Sequence, residues 1–316
     1  MDIKYISAES LEEILTYEKL IPRIEEAFAQ DYNIPMRHHH QYPNPKEGID
    51  STLLLMPAWD NDNNLGVKIV NVSPNNRANQ LPTIQGLYLY FDLQTGTPKA
   101  IMDGKTLTTK RTAAASALAS QYLSNPESDT MLMIGTGALS KELISAHCTV
   151  RPIKKVFVWG RSYEKAKKIA NEINIPGTAV IAVSTIEEKI SEVAIISCAT
   201  LSTIPLILGK TLRPGQHLDM VGAYKPNMRE MDDETIRKVN LFVDTRDGAS
   251  KETGDLVIPI REGNLSLSDI KADLFDLTQR KFKYNFSHQE ITCFKSVGHA
   301  LEDLAAGQLA YAEYKT

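Results

Sequence analysis

Two short stretches of this sequence set reactive residue types where secondary structure alone does not call for them. The first is MLMIGTGALSKEL, residues 131–143, in which Gly135, Thr136, Gly137 and Ala138 follow the apolar run MLMI and lead through Leu139 into a helical pattern. A glycine at the first position permits a tight turn, and one at the third lets the backbone approach a pyrophosphate. The outward N–H groups of the helix start then receive its charge. Ser140 stands where a third glycine is usual, and it is small enough for the close helix–strand packing which that position governs. The second stretch is LGVKIVNV, where Lys68 interrupts an apolar strand. A lysine buried in a strand needs a partner or a depressed pKa, which makes Lys68 a functional candidate. Arg111 stands among threonines near the start of an alanine-rich helix.

The strand after the glycine turn, KVFVWG, ends in Arg161 and Ser162, with Lys165 one turn on. A site for NAD usually places a carboxylate there for the ribose 2′-hydroxyl. A guanidinium and a hydroxyl suit a 2′-phosphate instead, so NADPH is the expected cofactor, with NADH possible. Thr200 lies just beyond another strand, at the end where doubly wound folds bind their ligands, and joins the expected cofactor contacts. Other residues are weaker candidates. His38, His39 and His40 alternate faces on an extended chain and have no acidic or cysteine partner nearby, so no metal site is expected. Gln85, His299 and one of the three histidines are possible pocket residues, Cys198 reads as a small buried residue, and Asp219 as a structural acceptor. The acidic run at 231–234 reads as a helix N-terminus.

These residues need elements to hold them. In the first third, SAESLEEILTYEKLIPRIEEAFAQ has helical spacing, with Ser10 and Glu13 as a capping box. STLLLMPAW, LGVKIVNVS and QGLYLYFDLQTGTPKAIMD read as strands, with QTGTP as a hairpin turn. From residue 126 onward, short apolar runs alternate with helices, the pattern of a Rossmann-type doubly wound parallel sheet. The α/β chain is thus expected to hold an α+β substrate and dimerisation domain over 1–125, completed by a C-terminal helix over 301–316, and a nucleotide domain over 126–300. A formal charge of −4 without a basic stripe implies neither nucleic acid nor an anionic membrane as partner. Three scattered cysteines, an N-terminus without a secretory pattern and the absence of a long apolar window lead to the expectation of a soluble cytoplasmic protein.

In order and spacing, MPAW (56–59), GVKIVNVSPNN (66–76), RTAAASALAS (111–120), IGTGALS (134–140), WGRS (159–162), CATLSTIP (198–205), DMVGAYKPNMREMDDE (219–234), DTRDGASKETGDL (244–256) and FKSVGHALEDLAAG (294–307) resemble the ornithine cyclodeaminase/mu-crystallin family. The resemblance runs nearly end to end. IPMRHHH and VGAYKPNMREMDD are similar to its Δ1-pyrroline-2-carboxylate reductase branch, which forms L-proline from a cyclic imine in trans-3-hydroxy-L-proline degradation. It implies a homodimer, and it places Arg37, Lys68 and Arg111 on a substrate carboxylate. Val221, Gly222 and Ser296, in two of the matched stretches, complete the expected cofactor contacts. Cyclodeaminases of the family carry an aspartate where this chain has Tyr224, so cyclodeamination is disfavoured and an imine reductase is the expected enzyme. Lys68, Tyr224 or a water remains open as the proton donor, and Tyr224 can equally pack on the nicotinamide. Ornithine cyclodeaminase, alanine dehydrogenase and a non-catalytic NADPH binder are the alternatives.

Overall fold

Period-two alternation of apolar residues builds the first sheet. The strand β1 (Lys4–Ile6) precedes helices α1 (Ala8–Ile14) and α2 (Tyr17–Phe28), followed by β2 (His38–Tyr42), β3 (Ser51–Trp59), β4 (Asn64–Val72), β5 (Ile84–Asp92) and β6 (Pro98–Asp103). The strands form one sheet in the order β1-β6-β5-β4-β3-β2, antiparallel throughout except for the parallel β1–β6 pair. One face is buried: Met56, Ala58, Val70, Tyr88, Tyr90, Ala100 and Met102 are at most 8% exposed. The structure, a computed structural model, describes residues 3–44, 50–74, 76 and 80–315.

Two local expectations for this region meet different outcomes. The 93–97 turn joins β5 to β6, with Gly96 at a φ of +69° and its N–H bonded to Asp92 O. The helical stretch, however, is two helices, and its cap is Ser7 rather than Ser10. The Ser7 side chain accepts from Ser10 N, while Leu15 leaves the helical region and Thr16 opens α2. A cap residue must itself be extended, a conformation that Ser7 adopts and that Ser10, inside α1, does not.

The helix α3 (Gly104–Leu123) carries no amphipathic stripe, because it is covered on all sides: Ala113, Ala114, Ala115, Ala117, Leu118 and Ala119 are completely buried. Beyond it come β7 (Thr130–Ile134), α4 (Leu139–Val150), β8 (Lys155–Trp159), α5 (Tyr163–Glu172), β9 (Ala179–Ala182), β10 (Ile195–Cys198) and β11 (His217–Met220). Then follow α6 (Asp233–Lys238), β12 (Val239–Val243), α7 (Arg246–Glu252), α8 (Gly254–Arg261), β13 (Ile270–Asp273), α9 (Leu274–Thr278), β14 (Ile291–Lys295) and α10 (Ala300–Glu313). Strands β7 to β14 form an all-parallel sheet in the order β13-β12-β14-β11-β10-β7-β8-β9. β7, β8 and β10 are nearly continuous apolar runs, as strands covered by helices on both faces require.

The chain divides into two compact units, Met1–Thr112 with Ala300–Thr316, and Ala113–His299. The first division falls inside α3, after Thr112, where the sequence suggested 125; the second falls at 299/300. Among the described residues no helix is long and apolar enough to cross a membrane.

Candidate active site

Lys68 occupies the middle of β4, on the buried face, directly across from Tyr88 of β5. Only 2% of it is exposed, and its ammonium lies 2.8 Å from Asp303 Oδ1. The same oxygen accepts from Arg111 Nε at 2.8 Å, while Arg111 Nη1 donates to Glu302 Oε2 at 2.5 Å. Both carboxylates sit in the first turn of α10, where the helix dipole favours negative charge. Burial, with the charges of Arg111 and Arg37 alongside, pulls the Lys68 pKa down to about 8 against the opposing pull of Asp303. The Arg111 guanidinium is held firmly charged by Asp303 and Glu302, which outweigh its burial.

The cluster keeps donors in reserve. An ammonium has three donors and a guanidinium five, and Asp303 and Glu302 engage one of the first and two of the second. The charge of Arg37 also reaches Lys68; counted with Lys68 and Arg111 against the two carboxylates it leaves an excess of one, which matches a single organic carboxylate. Lys68 and Arg111 are thus brought together on Asp303 in the first unit, with Arg37 near enough to act on Lys68 electrostatically. His38, His39 and His40 pair with Leu55, Leu54 and Leu53, so they do alternate faces, and all three are exposed. Among the described residues no group of three His, Cys, Asp or Glu is arranged to hold a metal ion.

In the second unit the glycine turn lies between β7 and α4. Gly135 has a φ of +126°, and a Cβ there would approach Ala199 O to 2.5 Å, so only glycine fits. Space beyond Gly137 is open, with nothing within 4 Å of a Cβ built on it. Thr136 and Leu139 are partly exposed and Ala138 is exposed. Ser140 is fully buried, and its hydroxyl donates to Gly135 O at 3.0 Å, so the serine in the third-glycine position ties the turn to its helix. This open cradle at the start of a 12-residue helix fits a dinucleotide pyrophosphate. At the end of β8, Arg161 is exposed without an ion-pair partner among the described residues, and Lys165 is exposed as well. Ser162 caps α5 by accepting from Lys165 N, which leaves its O–H to donate.

Other expected cofactor contacts carry internal bonds that the sequence did not reveal. Thr200 donates both its N–H and its hydroxyl to Glu230 Oε1, at 2.7 and 2.8 Å. Glu230 Oε2 accepts from the N–H groups of Gly222 and Ala223 at 2.8 and 3.0 Å. Ser296 donates its hydroxyl to Asp244, which also accepts from Val297 N and Gly298 N. Val221 is buried, and its N–H goes to Cys198 O. Tyr224, next along that loop, is partly exposed with the Lys225 ammonium 5.7 Å from its ring centre. Asp219 accepts from Ser197 Oγ at 2.7 Å and lies 3.1 Å from His147 Nε2, wholly inside the core.

The residues missed were Glu302 and Asp303 in the first unit and, in the second, Glu230 with Asp255, which accepts from Glu230 N, and Lys295, whose ammonium lies 3.2 Å from Asp255 Oδ2. Lys295 did carry a signal, since it interrupts ITCFKSV as Lys68 interrupts its strand.

The family model described as ornithine cyclodeaminase/mu-crystallin matches residues 3–316. A Δ1-pyrroline-2-carboxylate reductase of Colwellia psychrerythraea is 36% identical over 308 residues, covering 96% of this chain and 97% of that one. The structure of the Thermococcus litoralis Δ1-pyrroline-2-carboxylate reductase in complex with NADH and L-proline superposes with a TM-score of 0.91 at 33% identity, over 98% of this chain and 96% of that chain. An archaeal alanine dehydrogenase dimer with bound NAD gives a TM-score of 0.91 at 25% identity, over 99% of this chain and 96% of the other.

Proposed function

Because the chain belongs to the ornithine cyclodeaminase/mu-crystallin family of NAD(P)-dependent oxidoreductases, we propose that it reduces the cyclic imine Δ1-pyrroline-2-carboxylate to L-proline with NADPH, as a step in trans-3-hydroxy-L-proline degradation. The observation that carries this reading is the buried cluster of Lys68 and Arg111 on Asp303 and Glu302, with Arg37 close enough to act on Lys68 electrostatically. Its single excess positive charge and spare N–H donors suit one substrate carboxylate.

When bound, the dihydronicotinamide supplies the hydride. Arg111 and Arg37 hold the substrate carboxylate and orient the ring for attack at its C=N carbon. Lys68 gives a proton to the imine nitrogen, since an iminium is the better hydride acceptor. Its pKa of about 8 keeps the acid form populated at neutral pH while leaving the proton easy to release. Tyr224 stands where cyclodeaminases of the family carry an aspartate, which favours imine reduction over cyclodeamination of a diamino acid.

For the cofactor, Arg161 and the O–H of Ser162, with Lys165, grip the 2′-phosphate, while Gly135, Thr136, Gly137, Ala138 and Leu139 receive the pyrophosphate. Arg161→Ala is expected to raise the KM for NADPH about 10- to 100-fold while leaving that for NADH nearly unchanged. Steady-state assays with both cofactors check this.

The first unit is the substrate-binding and dimerisation domain of this reading. Its sheet has an uncovered face on which Leu55, Ile69 and Leu87 form one cross-strand row and Val67, Leu89 and Ile101 the next. Leu87 is 45% exposed. An apolar face of this breadth marks an interface, and the archaeal alanine dehydrogenase is a dimer. Leu89→Arg is expected to reduce the mass in light scattering from twice 35.2 kDa to 35.2 kDa.

The chemistry is tested with NADPH carrying deuterium at the transferable C4 position. One deuterium at the α-carbon of the proline product is expected. Proline without the label would overturn direct hydride transfer.

A further inference from the structure

One carboxylate holds the loops at the carboxyl ends of β10 and β11. Glu230 is completely buried, and the donors converging on it come from both loops: Thr200 N and Oγ1 with Cys198 Sγ on one oxygen, Gly222 N and Ala223 N on the other. The loops also touch directly, because a Cβ at Gly222 would lie 2.1 Å from both Thr200 N and Thr200 O. Glu230 is in turn fixed from behind. Its own N–H and that of Met231 donate to Asp255 Oδ1 at 2.7 and 3.2 Å, and the Lys295 ammonium lies 3.2 Å from Asp255 Oδ2 and 4.0 Å from Glu230 Oε2. Only an ionised carboxylate offers acceptors, and no donor, at both of its oxygens.

Ligands of doubly wound sheets bind at the carboxyl ends of the strands, and Tyr224 follows directly from Ala223. We propose that Glu230 is a positioning residue for hydride transfer, fixing Thr200 and the Gly222–Tyr224 segment relative to each other where the nicotinamide is received. This rests on the oxidoreductase reading above. Glu230 touches neither hydride donor nor acceptor; it acts through the two loops.

Glu230→Gln separates positioning from stability. A glutamine presents an acceptor to one loop and a donor to the other, so one set of bonds is lost whichever way the amide faces. The substitution also removes a buried negative charge from a group of two carboxylates and one ammonium, so the fold is expected to survive. Amide hydrogen exchange of the protein alone should then accelerate about tenfold or more over 199–202 or 221–224 and remain unchanged in β7 and β10. Single-turnover oxidation of NADPH by the imine should slow by a similar factor at an unchanged melting temperature. Glu230→Asp, which keeps both acceptors, should recover part of the rate.

Wild-type exchange in both segments of the glutamine variant would overturn the proposal, whatever the substrate proves to be. An imine that is not turned over by the wild type would overturn the functional reading and leave the exchange result to decide this one. Should Glu230→Gln fail to fold, Thr200→Val removes a single bond to Glu230, and unchanged exchange at Thr200, Gly222 and Ala223 in that variant would refute the inference.

Discussion

Lys68→Met is expected to lower kcat/KM for the imine by about 10³- to 10⁴-fold, the range for removing a positioned general acid together with a charged substrate contact. The variant should still fold, because Asp303 keeps its bond to Arg111 and methionine fills the space on the buried face of β4. The wild-type pH profile carries the same signature. Burial and the neighbouring guanidinium groups bring Lys68 down to about 8, so its acid form is present below that pH and is lost above it. The rate should therefore be flat on the acid side of pH 8 and fall about tenfold per unit on the alkaline side. The Met variant should lack that limb. A variant within tenfold of wild type, or an unchanged alkaline limb, would remove Lys68 from the chemistry.

Arg111→Met should act on both stability and binding. It takes the guanidinium from two buried carboxylates, Glu302 and Asp303, of which only Asp303 keeps a bond to Lys68. Removing one partner of a buried ion cluster costs about 3–5 kcal/mol. That should appear as a lower urea midpoint with an unchanged slope. Adding Glu302→Gln should restore part of the loss, because one of the stranded charges is then gone. The KM for the imine should rise in either background, since Glu302→Gln returns no carboxylate grip. If the double variant recovered full affinity, Arg111 would be a structural residue only.

How much of this was legible from residues alone follows from the range of the forces involved. The glycine turn, the strand-borne lysine and the alternation of strands and helices are local patterns, and the parallel sheet follows from them. Two strands of that sheet escaped, as did β1 and β2 of the other. β13, IKAD, alternates apolar with polar over only four residues, and β14, ITCFK, ends in a lysine, so neither reads as the apolar run of a buried parallel strand. Yet β14 lies between β11 and β12, where Lys295 is buried because Asp255 and Glu230 neutralise it. That compensation spans 40 residues or more of chain, and no local window contains it.

The first unit repeats the lesson: Lys68 was visible as an anomaly, but the Asp303 that explains it lies 235 residues further on. Ser7 capped α1 in place of Ser10 because two serines three residues apart both fit the motif, and backbone conformation chose between them. Thr200 was placed at a strand end and Ser296 entered through the family resemblance alone, but their hydroxyls bond to Glu230 and Asp244, acceptors that the sequence does not position.

The most direct test of the central claim follows NADPH absorbance with freshly made Δ1-pyrroline-2-carboxylate, beside a parallel reaction of ornithine with NAD assayed for ammonia. Rapid NADPH loss with stoichiometric L-proline, and no ammonia from ornithine, is the predicted result. Ammonia and proline from ornithine, or NADPH that binds without being oxidised by the imine, would contradict it.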